Sequence, residues 1–195
     1  MWYKFCYWLV FIVLKPIYRF KVYGRERVPE GGMLICGHHT AIIDPVLVAL
    51  ALGPQGKIAV MGKAELFKIP ILSAILRSLN AFPVQRGKND VGAIKYALKS
   101  LKDGRQLILF PEGTRVREGE SVEAKTGAGM LSLRAGVPVV PIYITPGRKA
   151  FRGCQLVFGT PIRPTCEGRP GAADYQRVTD EIMQAVYAAQ KELPA

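Results

Sequence analysis

Seven short apolar runs recur along the chain: Phe20–Tyr23, Met33–Cys36, Ile58–Met61, Phe82–Val84, Leu107–Phe110, Val139–Ile144 and Leu156–Phe158. Each is too short for a buried helix and the right length for a strand, and turn or charged residues bound them. Between them lie longer segments with helical spacing, starting at Pro45, near Ile71, at Val91, near Met130 and near Asp174. Strands alternating with helices bury their apolar faces as an α/β layer structure. The pattern predicts a single α/β domain with a central mixed, largely parallel sheet flanked by helices. At 195 residues the chain is long enough for one substantial core. Neither repeats nor low-complexity tracts interrupt it.

Ahead of the first strand, Met1 to Leu14 carries one charge, Lys4, among aromatic and aliphatic residues. Lys15, Arg19, Lys21, Arg25 and Arg27 follow. As a helix the apolar stretch reaches about 20 Å, short of the roughly 30 Å hydrocarbon core. No small-residue cleavage site follows it, so a signal peptide is not indicated. An interfacial anchor is predicted over residues 1–27, with Trp2, Tyr3, Tyr7 and Trp8 at headgroup depth and the basic flank on anionic lipid. A helix packed on the domain is the plainer alternative. Residues 28–195 form the remaining domain. The net charge of +12 points to anionic partners. Its interleaving with aromatics is confined to the N-terminal segment, which favours a membrane surface over nucleic acid. Cys6, Cys36, Cys154 and Cys166 are scattered, as reduced thiols of a cytosol-facing protein would be.

Two helices carry extra information. Val91, Ile94, Leu98 and Leu101 form one stripe behind a capping Asp90, leaving Lys95, Lys99 and Lys102 as a basic face. That face is either plain solvated surface or a dock for an acidic carrier or lipid. Leu66–Leu79 is apolar nearly all round, with Lys68 and Arg77 its charges, so it belongs to the core or to a membrane contact. Residues 116–129 are polar and glycine-rich, a functional lid or simply a mobile loop.

The chain has two histidines, and both stand in His38-His39-Thr40-Ala41-Ile42-Ile43-Asp44, directly after an apolar strand. Asp44-Pro45 reads on its own as a helix cap. With His39 in the strand-to-helix turn, the carboxylate also reaches the imidazole. One oxygen would cap while the other takes the Nδ1 proton, leaving Nε2 as a general base. His38 has no such partner and is read as a hydrogen-bonding neighbour. Adjacent histidines on a turn diverge, so metal binding is not predicted. A second cluster, Phe110-Pro111-Glu112-Gly113-Thr114-Arg115, follows another strand. It reads as a type II turn with a surface arginine, or as an anion cradle of backbone N–H groups, the Thr114 hydroxyl and the Arg115 guanidinium. Arg86, also just past a strand, and Lys125 would add positive charge. No Gly-x-Ser-x-Gly elbow and no phosphate loop ending in Gly-Lys-Ser/Thr occurs. A base and an anion site without a protein nucleophile suggest that a substrate hydroxyl attacks an activated acyl group.

These residues resemble the glycerolipid acyltransferase family, specifically the 1-acyl-sn-glycerol-3-phosphate acyltransferases. His39-x4-Asp44 matches the first motif, Phe82 to Arg86 the second, Phe110 to Arg115 the third at every position, and Val137-Pro138-Val139-Val140-Pro141 the fourth. Four motifs in order cover roughly residues 20–160. His38 stands where Asn is common, Ala41 where Ser is frequent, and Asn80 where Gly is usual.

The resemblance implies that His39, oriented by Asp44, deprotonates the free hydroxyl of lysophosphatidate. The hydroxyl then attacks an acyl thioester of coenzyme A or acyl carrier protein, making phosphatidate for phospholipid biosynthesis. Arg86 and Arg115 would bind the phosphate, and Glu112, Gly113 and Thr114 would shape that pocket. No metal or resident cofactor is implied. The expected location is the cytoplasmic face of the cell membrane, peripheral or monotopic. Glycerol 3-phosphate or another lysophospholipid is the alternative acceptor, and a non-enzymatic binder of anionic lipid the more distant reading.

Overall fold

The computed structural model describes residues 2–54, 57–85, 90–117, 120, 122–146 and 150–193. All seven predicted strands are present: β1 Lys21–Tyr23, β2 Met33–Gly37, β3 Ile58–Lys63, β4 Ala81–Val84, β5 Gln106–Leu109, β6 Val139–Ile144 and β7 Gln155–Phe158. They form one sheet in the order β1-β7-β6-β2-β5-β3-β4. From β6 to β4 every neighbouring pair is parallel; β7 runs antiparallel to β6, and β1 is parallel to β7. The sheet is thus mixed and largely parallel.

Helix α1 spans Trp2–Tyr18, running past the predicted end of the apolar stretch, and α2 spans Asp44–Leu52. Then come α3 Pro70–Ser78, α4 Val91–Lys102, α5 Gly127–Ala135 and α6 Ala172–Ala188. The period-2 alternation of the strands divides the core. In β2, Met33 and Ile35 pack with Leu47, Val48 and Tyr7 on one face, the side of α1 and α2. Leu34 and Cys36 pack with Ala97, Leu131 and Val178 on the other, the side of α4, α5 and α6. Both faces are covered, so β2 and β6 are buried along their whole length.

Local departures from expectation have clear causes. Of the expected α4 stripe, Leu101 is buried and Ile94 and Leu98 are half-buried, but Val91 is exposed. The fully buried positions also include Ala93, Ala97 and Ser100, whose small side chains suit close approach to the sheet. Asp90 does cap it, Oδ1 accepting from Ala93 N at 3.0 Å. Asn80 has φ 60, a left-handed conformation that glycine adopts without strain and asparagine tolerates. Burial pushes the Cys36 thiol up, with the charge of Glu112 adding to it, as befits a core cysteine.

Residues 19–27, grouped by sequence with the N-terminal segment, contribute β1 to the sheet. Arg25 and Arg27 donate to the carbonyls of Leu52 and Phe158. Helix α1 rests on the domain through Tyr7, whose hydroxyl donates to Leu50 O at 2.9 Å. Its other side is open: Trp2, Phe5, Trp8, Leu9 and Ile12 are exposed. Among the described residues no helix is long and apolar enough to cross a membrane.

Candidate active site

Parallel α/β sheets bind ligands beyond the carboxyl ends of adjacent strands whose connections leave to opposite faces. β2 and β5 are such a pair: α2 follows β2 on one face, and α5 follows β5 on the other. The two chemical clusters of the sequence sit at those two strand ends, side by side through the Cys36–Leu109 pairing.

His39 and Asp44 meet as anticipated, Nδ1 to Oδ2 at 3.1 Å, with His39 largely buried and Asp44 fully so. The same Oδ2 accepts the backbone N–H groups of Thr40 and Ala41, each at 2.8 Å. The anticipated division of labour between the two oxygens is therefore not what forms. Asp44 is the first residue of α2, after Ile43, and side chains at a helix start lean toward the N-terminus. The carboxylate turns back over the histidine turn instead of capping its own helix. An ionised carboxylate only accepts, so Nδ1 carries the proton and Nε2 is left with a lone pair. The imidazole stacks on Phe110, centroids 4.4 Å apart, which fixes its plane.

His38 diverges as predicted, stacking on Tyr143 of β6 at 4.7 Å, with Tyr187 of α6 tilted against it at 6.1 Å. The third motif is a turn closed by Gly113 N donating to Phe110 O at 3.0 Å. It is not type II, because Glu112 at its third position has no positive φ; the positive value, +66, falls on Gly113. Proline at the second position and glycine at the fourth suit a type I turn. The freed space is used: the Lys125 stem lies 3.2 Å from where a Cβ on Gly113 would stand. Lys125 N also donates to Pro111 O at 2.8 Å, and Val116 N to His39 O at 2.7 Å. The glycine-rich 116–129 segment is thereby tied at both ends to the site.

Glu112 is 2 % exposed, and its Oε1 accepts the His39 backbone N–H at 3.4 Å. Burial raises its carboxyl above the ordinary value, against smaller lowering contributions from backbone N–H groups and from His39. It braces the histidine turn from within. Thr114 and Arg115 continue the turn with exposed side chains. Arg86 lies outside the described residues. The structure thus gathers His39, Asp44, Glu112, Gly113 and Lys125, with Thr114 and Arg115 adjoining.

A cavity of about 370 Å³ opens beside His39 between β3, β4, β5, α4 and α5. Its wall is mostly apolar, including Met61, Val84, Ile94, Ile108 and Met130, and Lys125 stands among its polar lining residues. Sequence reasoning did not find this cavity. Nor did it find Phe110, Tyr143 and Tyr187 as ring partners; aromatic residues far apart in the chain leave no local signal of such stacking.

A buried imidazole–carboxylate pair beside an apolar cavity is an arrangement that can serve acyl transfer. The chain belongs to the acyltransferase family, whose model matches residues 19–145. It is 32% identical over 166 residues to the 1-acyl-sn-glycerol-3-phosphate acyltransferase of Bacillus subtilis (strain 168), covering 82% of each chain. It is 30% identical over 174 residues to the protein of that name from Streptococcus pneumoniae, covering 84% of this chain and 60% of the relative. With the chloroplastic Arabidopsis thaliana protein LPAT1 it shares 30% identity over 137 residues, 68% of this chain and 38% of the other. The crystal structure of the acyltransferase PlsC from Thermotoga maritima superposes with TM-score 0.67 at 24% identity, over 97% of this chain and 77% of that one, and so has the same fold.

Proposed function

We propose that the protein transfers a fatty acyl group from a thioester to the free hydroxyl of 1-acyl-sn-glycerol 3-phosphate, yielding phosphatidate. The observation that carries this reading is the His39–Asp44 pair at the mouth of an apolar cavity, with Lys125 crossing Gly113 beside it. An acyl chain suits the apolar wall, a phosphate suits the cation, and the base lines the same space as both. The relatives named above support the choice of acceptor.

His39 Nε2 takes the hydroxyl proton as the oxygen attacks the thioester carbonyl, and Asp44 holds the ring and offsets the imidazolium charge. The tetrahedral intermediate collapses, the C–S bond breaks, and the imidazolium returns the proton to the thiolate of coenzyme A or carrier protein. Lys125 and Arg115 hold the acceptor phosphate, joined by Arg86, while Glu112, Gly113 and Thr114 shape the turn. Helix α1 lies on the membrane, at its cytoplasmic face, with the exposed aromatics inserted.

Purified protein, lysophosphatidate and an acyl thioester should release free thiol and form phosphatidate by mass spectrometry. His39→Ala should lose about 10²–10⁴-fold in rate while keeping its fold. Full activity in that variant would overturn the assignment, and a faster reaction with glycerol 3-phosphate would move the acceptor.

A further inference from the structure

The β3–β4 connection, a 3₁₀ turn at Ala64–Lys68 followed by α3, presents an apolar surface that the active site does not use. Its side of the sheet is marked by Phe67, which closes on Gly62, where a Cβ would stand 2.9 Å from the ring. Gly62 shares the register of Val60, which packs with the α1 and α2 cluster, while Met61 packs with the opposite one. A right-handed crossover from β3 to β4 requires the same placement, since it steps in the direction of the β2–α2–β3 unit. Helices α1, α2 and α3 therefore cover one face.

On α3, Leu72 and Leu76 are half-buried, while Ile71 and Ile75, one turn apart, are exposed, Ile71 by 78%. Leu66 and Ile69 are exposed in the approach to the helix. A continuous apolar patch of this kind, rimmed by polar groups, marks an interaction surface. Its rim is cationic: Lys63, Lys68 and Arg77 are exposed against the single acid Glu65. The guanidinium carbon of Arg77 lies over the Phe67 ring, 5.5 Å from its centre, and the side chain is exposed there. The outward side of α1, with Trp2 and Trp8, lies on the same face of the sheet.

We propose that residues 64–78 form a second membrane contact that takes an anionic bilayer. Leu66, Ile69, Ile71 and Ile75 enter the boundary between headgroups and acyl chains, and Lys68 and Arg77 meet lipid phosphates. The cationic rim, the shared face with the aromatic side of α1, and the net charge of +12 favour a bilayer over a protein partner. A single interfacial helix leaves the domain free to roll about its axis. A second contact on the same face of the sheet removes that freedom and fixes how the domain sits on the lipid.

This inference rests on α1 being the anchor, and the test separates the two. Trp2 and Trp8 are the chain's two tryptophans, so quenching of native fluorescence by brominated lipids in phosphatidylcholine–phosphatidylglycerol vesicles reports α1 alone. In a Trp2→Phe/Trp8→Phe background, Ile71→Trp places the reporter on α3, and it should be quenched as well. Ile71→Ser/Ile75→Ser should weaken vesicle partitioning by about tenfold, with an unchanged rate on a dispersed short-chain acceptor. Quenching of the native tryptophans without quenching of the Ile71→Trp reporter overturns the second contact and leaves α1 as the anchor. Absence of both overturns both. A blue-shifted α3 reporter without lipid, with doubled mass by light scattering, overturns it in favour of a second copy of the chain.

Discussion

One oxygen of Asp44, Oδ2, serves His39 Nδ1 at 3.1 Å and the N–H groups of Thr40 and Ala41 at 2.8 Å each. The carboxylate therefore sets the ring's tautomer and the shape of the turn that carries it. Asp44→Asn keeps the size but loses the charge that offsets the imidazolium. The rate constant kcat should fall about 10³–10⁴-fold, with stability lower by about 1–3 kcal/mol. Stopped thiol-release assays alongside thermal denaturation will check both figures.

Glu112 carries a carboxyl raised mainly by burial. Such a group binds its proton more tightly in the folded chain than in the unfolded one. Its stability contribution is then complete below the ordinary carboxylate range and is lost as pH rises through the elevated folded value. Glu112→Gln retains an acceptor for the His39 N–H without the buried charge. The melting temperature of this variant should gain on the parent as pH rises through that window, by about 2–4 °C for each kcal/mol recovered. Parallel melting curves across pH would refute the carboxyl's protonation as the cause.

Gly113 combines φ +66 with the Lys125 stem at 3.2 Å from the absent Cβ. Gly113→Ala should cost about 1–2 kcal/mol from the left-handed backbone and push Lys125 off the turn. Because the lysine is read as a phosphate ligand, KM for lysophosphatidate should rise more than kcat falls. An effect confined to kcat would remove Lys125 from acceptor binding.

Met130 lies on the apolar wall of the cavity beside His39. A larger, stiffer side chain there shortens the space, so Met130→Phe should shift the preferred acyl donor to shorter chains. Competition among thioesters of graded length, resolved by mass spectrometry, reads the shift. An unaltered profile would place the acyl chain elsewhere.

The Tyr7 hydroxyl ties α1 to the Leu50 carbonyl. Tyr7→Phe leaves the ring in place and removes one of the two hydrogen bonds at Leu50 O, which still accepts from Gly53 N at 3.2 Å, costing about 1 kcal/mol. Chemical denaturation should show a lower midpoint at constant slope.

Much of the fold was legible because the strands are short, apolar and cleanly punctuated. Each predicted strand forms within one or two residues of its expected place, and five helices start close to theirs. The contact of His39 with Asp44 was legible because the two lie five residues apart across one turn. Less visible was the role of Glu112: a glutamate in a polar turn reads as surface, and burial against His39 depends on β5 lying beside β2. The α4 stripe was legible in part: Leu101 is buried and Ile94 and Leu98 are half-buried, whereas Val91 is exposed. Ala93 and Ala97 take the innermost places, which depends on how the helix packs on the sheet.

Local chemistry, carried by residues near one another in the chain, is what the sequence determined on its own: alternating strands and helices, the His39–Asp44 pair, the proline–glycine turn and the apolar, aromatic start of the chain. Tertiary structure alone decided which of these meet. It set β2 against β5 at the point where their connections part to opposite faces, and brought Lys125 across Gly113. It also hollowed an apolar cavity among five elements and put α3 on the face of α1. Those outcomes depend on strand order and crossover hand, which arise from packing the whole sheet and leave no mark in any short stretch of residues.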